Sequence, residues 1–127
     1  MSNLKQDAQA AILELASGPE GQVEAVILFP AGLSVFAGHF PGGPVVPGIL
    51  ELELFRAVAE RLFPGSLFRI LSVTKAKFLR EIRPGEKVRL TGAFPSLDGK
   101  KTLNVKGQLW VENEKSAQVE MTMEKDG

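Results

Sequence analysis

With 127 residues, fifteen basic against fifteen acidic side chains and no cysteine, the chain suits one domain over residues 1–127 that buries a core without disulfides or a structural metal. Balanced charge removes the overall basic field on which general nucleic-acid binding relies, while zero cysteines exclude a thiol nucleophile and, with a single histidine, leave a metal site little to work with. "MSNLKQDAQAAILELA" lacks a signal-peptide pattern and no stretch nears the roughly 20 apolar residues of a membrane span, so a soluble, cytoplasmic protein with no nucleic-acid or membrane partner is expected.

Leu4, Ala8, Ala11, Ile12 and Leu15 recur at helical spacing, which predicts a short amphipathic helix over residues 3–16, stopped by "SGPEG" and packed as a lid. "VEAVILF", from Val23 to Phe29, reads as a strand, and Ser34 to Ala37 as a second short one. A loop dense in Pro and Gly follows, "HFPGGPVVPG" at residues 39–48, headed by the only histidine. Beyond Pro47, "GILELELFRAVAERLF" is rich in helix formers and ends at Pro64-Gly65. Its apolar residues cover more than one narrow stripe, so residues 48–63 are predicted to form a mostly buried central helix.

Four strands are predicted after Ser66. Residues 67–80 are long and extended, and residues 86–94 follow the "RPGE" turn. Residues 102–112 follow "LDGK" and place Leu103, Val105, Leu109 and Val111 on one face. In the last strand Ala117, Val119, Met121 and Met123 face one way, with Ser116, Gln118, Glu120 and Thr122 opposite. A buried helix followed by four antiparallel strands implies an α+β fold, a curved sheet wrapped around the central helix. Such a sheet leaves open edges, and pairing them across a two-fold axis predicts a homodimer.

The Pro/Gly loop can carry chemistry. A helix N-terminus offers unpaired N–H groups and the positive end of the helix dipole. Gly48 lets a ligand approach that backbone closely, and Pro47 fixes the entry angle, although the same dipeptide is also plain helix initiation. With His39 across one pocket, proton abstraction beside a carbonyl held at that N-terminus becomes feasible. β-Elimination of water next to such a carbonyl would further need an acid for the departing hydroxyl. Glu51 and Glu53 both lie in the first two turns, roughly 200° apart around the helix, so they cannot share a face. Glu51 lies on a stripe with Phe55, Val58 and Leu62, whereas Glu53 leads a polar line through Arg56 and Glu60. Spacing alone does not choose between them.

"GHFPGGPVVPGILELE", Gly38 to Glu53, resembles the active-site segment of the 3-hydroxyacyl-[acyl-carrier-protein] dehydratases of fatty-acid synthesis, which have the hot-dog fold. The family pattern is H-F-P-x-x-P-x-x-P-G, with an acidic residue fourteen positions after the histidine, here Glu53. "KFLREIRPGEKVRL", Lys77 to Leu90, is similar to a second family motif. The resemblance implies that His39 is the catalytic imidazole, that Glu53 is its acidic partner and that the Gly48 N–H polarises the thioester carbonyl. It implies no cofactor beyond the phosphopantetheine of acyl carrier protein or coenzyme A that carries the substrate. It also implies a homodimer in which histidine and carboxylate of one site come from different protomers.

Two departures stand out. The chain lacks a "PHRxPFLLVDR"-like segment before the histidine, and its helix reads "ELFRA" where the family continues E-A-x-A-Q. These differences leave the reaction class in place and imply a short, divergent member of the aryl-polyene or polyketide type. Lys75, Lys77, Arg80, Arg83, Lys87 and Arg89 stand against only Glu81 and Glu86, which marks Lys75, Lys77, Arg80 and Arg83 as a candidate docking surface for an acidic acyl carrier protein. The competing functions are a hot-dog acyl thioesterase, which would release free acid, and a non-catalytic acyl-binding or dimerisation module.

Overall fold

The computed structural model describes residues 3–37, 43–97 and 99–126. Eight regular elements follow in chain order: α1 (Leu4–Ala11), β1 (Ile12–Ser17), β2 (Gln22–Leu28), α2 (Gly48–Leu62), β3 (Leu67–Phe78), β4 (Lys87–Ala93), β5 (Thr102–Val111) and β6 (Glu114–Asp126). The six strands form one antiparallel sheet in the order β1-β2-β4-β5-β6-β3, so β1 and β3 are its edges. No described helix is long and apolar enough to cross a membrane.

The period-2 pattern of the sequence becomes the inner face of this sheet. Ala25 and Ile27 of β2, Val88 and Leu90 of β4, Leu103, Val105 and Leu109 of β5, and Ala117, Val119, Met121 and Met123 of β6 are all buried. Against them lies α2, whose Leu50, Leu54, Phe55, Ala57, Val58 and Ala59 are also buried, as the broad apolar surface of the sequence predicts. Each large side chain so buried contributes about 1.5–3 kcal/mol. Phe55 fits because β5 carries Gly107 beneath it, where a Cβ would stand 2.2 Å from the ring. Phe55 also stacks with Phe94 at 6.4 Å between centroids. On the other side α1 rests on α2: Gln9 Nε2 donates to the Ala57 carbonyl at 3.2 Å, and Arg61 Nη2 donates to the Gln9 carbonyl at 2.9 Å.

Three local expectations are corrected. The first helix ends at Ala11, not residue 16, and residues 12–17 form β1, because pairing with β2 overrides the helical spacing. Ala8, Ala11 and Ile12 remain in the core, with the backbone changing form between Ala11 and Ile12. Ser34–Phe36 is a 3₁₀ turn rather than a strand, because buried Asp7 accepts hydrogen bonds from the Ser34 hydroxyl and the Val35 N–H, each at 2.9 Å. These side-chain bonds replace a ladder. Ser116 is fully buried instead of facing outward with Gln118. Leu109 pairs with Ala117 and Trp110 with Lys115, so Ser116 is the extra residue of a bulge.

Candidate active site

The two motifs singled out in the sequence form facing walls of one cavity. At the first wall Pro47 is extended (φ −70°, ψ 149°) and its carbonyl accepts from Leu50 and Glu51 at 3.0 and 3.3 Å, closing the first turn of α2. Gly48 is the first helical residue, a position whose N–H has no partner within the helix. The second wall is the end of β3 and the chain after it. The Ser116 bulge carbonyl accepts from Leu79 at 2.8 Å and Arg80 at 3.3 Å, which carries the chain away from β6 toward α2. Val46 N–H closes the gap by donating to the Ile82 carbonyl at 2.7 Å. Phe78 lies across Gly48, so that a Cβ there would stand 2.9 Å from the ring. The cavity between these walls, about 360 Å³, is lined by Val46, Gly48, Glu51, Phe78, Leu79, Arg80 and Glu81.

The two carboxylates of α2 have opposite surroundings. Glu51 is 3% exposed and its Oε1 is buried with no hydrogen-bond partner among the described residues. Taking the charged form out of water by burial pushes its carboxyl up to about 8. Glu53 turns away from that cavity and accepts from Arg56 Nε at 2.5 Å. Arg56 is itself buried and donates from Nη1 to Glu60 at 2.8 Å, while the same Glu60 oxygen accepts the Phe68 N–H at 2.8 Å. The polar line read from spacing is a Glu53–Arg56–Glu60 network in which two half-buried carboxylates flank a buried guanidinium. Arg56 Nη2 is left without a partner inside it.

Of the residues named from the sequence, Gly48 and Arg80 line the cavity, Pro47 stands beside it as the N-cap of α2, and Glu53 is held away from it by Arg56. His39 lies outside the described residues. Most of the basic cluster is already paired: Lys75 with Glu120 at 3.9 Å, Arg80 with Glu86 at 2.9 Å and Glu114 at 3.2 Å, and Arg83 with Glu81 at 3.5 Å. The Arg80 hydrogen bond holds the Glu86 carboxyl below the usual range. Lys77 is exposed and has no ion pair among the described residues. A larger cavity of about 600 Å³ lies between β1, β2, β4 and β5, lined by Glu24, Thr91, Lys106 and Gln108 among others. None of its lining residues carries a buried side-chain atom without a partner, and neither motif reaches it.

Comparison with known proteins decides the family. The ApeI-like profile, described as ApeI dehydratase, matches residues 16–120. The chain belongs to the ApeI-like dehydratase family. This ApeI-like chain is 38% identical over 85 residues to the 3-hydroxyacyl-[acyl-carrier-protein] dehydratase FabZ of Chloroflexus aggregans, covering 62% of this chain and 58% of that one. It is 33% identical over 92 residues to the FabZ of Pelotomaculum thermopropionicum, covering 68% and 65%. The matched stretch thus spans less than two thirds of the length of either relative. Among solved structures, the dehydratase heterocomplex ApeI:P from Xenorhabdus doucetiae superposes with a TM-score of 0.68 at 20% identity, covering 89% of this chain and 96% of that one. A candidate thioesterase from Lactococcus lactis gives a TM-score of 0.67 at 17% identity, covering 98% and 97%. These likenesses establish the hot-dog fold for the ApeI-like chain and speak to the fold alone.

Proposed function

We infer that the protein is a dehydratase that eliminates water from a 3-hydroxyacyl thioester, carried on acyl carrier protein or coenzyme A, to give the trans-2-enoyl thioester. The observation that carries this is the cavity at the head of α2, where Gly48 and a buried carboxyl stand on one helical turn in a chain of a dehydratase family. The Gly48 N–H, at the positive end of α2, polarises the thioester carbonyl as negative charge develops on it. Pro47 fixes the direction from which the chain enters, and Phe78 lies close over Gly48, where a Cβ would stand 2.9 Å from the ring. His39 is the base that takes the α-proton, and Glu53 is its acidic or orienting partner.

The working unit is a homodimer joined through β3, an edge strand with Leu71 and Val73 exposed. Lys75, Lys77, Arg80 and Arg83 form the approach for an acidic carrier protein, with Lys77 the one of the four that has no ion pair among the described residues. The departures of the segment before the histidine and of the helix sequence "ELFRA" from the longer dehydratases support a secondary pathway of the aryl-polyene or polyketide type. Purified protein and its His39→Ala variant, assayed with 3-hydroxyacyl thioesters, test the assignment. Enoyl thioester should form with the wild type and not with the variant. Equal turnover by the variant, or free acid as the product, overturns it.

A further inference from the structure

At "ELFRA" the central helix departs from the family pattern E-A-x-A-Q, and Arg56 stands where that pattern has a small residue. Arg56 is 2% exposed, and an arginine at such depth carries a desolvation cost that an apolar side chain of similar volume would not. Its guanidinium is divided between two carboxylates. Nε donates to Glu53 Oε2 at 2.5 Å and Nη1 to Glu60 Oε2 at 2.8 Å, while Nη1 also lies 3.5 Å from the Phe68 carbonyl. Spacings of three and four residues put Glu53, Arg56 and Glu60 along one side of α2. Glu60 is the fixed end of this line. Its Oε2 also accepts the Phe68 N–H at 2.8 Å, at the start of β3, and Phe68 is buried against Phe63 with ring centroids 5.9 Å apart. A guanidinium is planar and rigid, so with Nη1 held between Glu60 and β3 the direction of the Nε–H bond is set as well. That N–H takes one oxygen of Glu53, and Nη1 goes to Glu60 rather than to the other. A glutamate side chain left alone rotates among rotamers, whereas a group working in a reaction has to be held to within about 0.5 Å.

We propose that Arg56 is a positioning residue of the dehydration: anchored through Glu60 to the start of β3, it holds the Glu53 carboxyl in the direction from which that group acts. The proposal rests on the dehydratase function above, with Glu53 as the acidic or orienting partner. Arg56, with almost no exposed surface, reaches the reaction through Glu53 and not by touching substrate. Its effect on turnover therefore exists only while the Glu53 carboxyl is present. Its tether between α2 and β3 runs through Glu60 and Phe68 and does not need Glu53 at all. A double-mutant cycle separates the two roles, because a residue that acts through a second one adds nothing once the second is gone.

The test is kcat, KM and Tm for the wild type, Arg56→Gln, Glu53→Gln and the double variant, with 3-hydroxyacyl thioesters of coenzyme A and enough enzyme to read the residual rates. Arg56→Gln should lose about tenfold or more in kcat with KM changed by less than about threefold. In the Glu53→Gln background the same change should alter kcat by less than about twofold, while it lowers Tm in both backgrounds. Arg56→Lys keeps a buried cation but replaces the rigid fork by a single ammonium. It should show the same pair of kcat results, and it carries the test if Arg56→Gln does not fold. Three results overturn the proposal: a kcat within twofold of wild type in the Arg56 variants, losses that multiply in the double variant, or a Glu53→Gln variant that turns over like the wild type. A wild type that dehydrates none of the thioesters overturns the underlying function instead.

Discussion

Replacing Glu51 by glutamine should flatten the pH dependence of stability, and the size of the effect follows from the burial. In the unfolded chain this carboxyl titrates near 4.5, while in the fold it titrates near 8. Between those values the native state holds one more proton than the unfolded state, so stability falls as pH rises. A raised folded pKa therefore gives stability that is intact below pH 4.5 and lost by the time pH passes about 8. At about 1.4 kcal/mol per pH unit, the loss is roughly 3 kcal/mol at pH 7 and on the order of 5 kcal/mol above pH 8. That is a large share of the ~5–15 kcal/mol that holds a domain together. Glutamine cannot ionise, and its amide costs about 1–3 kcal/mol at every pH for the unpaired group it buries. Urea unfolding from pH 5 to pH 9 should show Glu51→Gln equal to or weaker than the wild type at pH 5 and stronger by roughly 2–4 kcal/mol at pH 9. Glu86, whose carboxyl is held low by Arg80, loses its contribution only below about pH 4.5 and stays outside this window. Parallel curves for the two proteins would refute the claim that Glu51 is buried protonated.

Gly107→Ala should destabilise the fold, because the added methyl group meets the Phe55 ring at 2.2 Å in the middle of the core. Overpacking of that kind costs about 2–3 kcal/mol, readable as a fall in Tm by thermal denaturation, whereas Gly18→Ala, with nothing within 4 Å, should leave Tm unchanged. Leu71→Lys places a charge on the exposed β3 edge and should convert a dimer into monomer in sedimentation velocity without lowering helix or strand content; a variant that stays dimeric places the interface elsewhere.

Much of the fold was legible because several signals coincided. Pro47-Gly48 and Pro64-Gly65 bracket α2 to within one residue, and strict alternation in Ala117, Val119, Met121 and Met123 matches the buried face of β6. Residues 12–17 were not legible, since Ile12 and Leu15 continue the helical spacing of Leu4, Ala8 and Ala11 and only the partner strand β2 breaks it. Ser116 needed knowledge of the β5 register to be placed inside. At the site, the sequence showed that Glu51 and Glu53 point apart, Glu51 on a line with Phe55 and Val58 and Glu53 on a line with Arg56 and Glu60, but spacing did not choose between them. What it could not show is that Phe78 and Leu79 return from a distant strand to close the cavity over Glu51. Nor could it show that the basic cluster spends most of its charge on Glu81, Glu86, Glu114 and Glu120.

The most direct test of the function is mass spectrometry of the product formed when the purified protein meets 3-hydroxyacyl thioesters of graded chain length on carrier protein and on coenzyme A. An intact thioester lighter by one water and carrying a trans-2 double bond is the result expected. Free acid, or unchanged substrate at every chain length on both carriers, would contradict it.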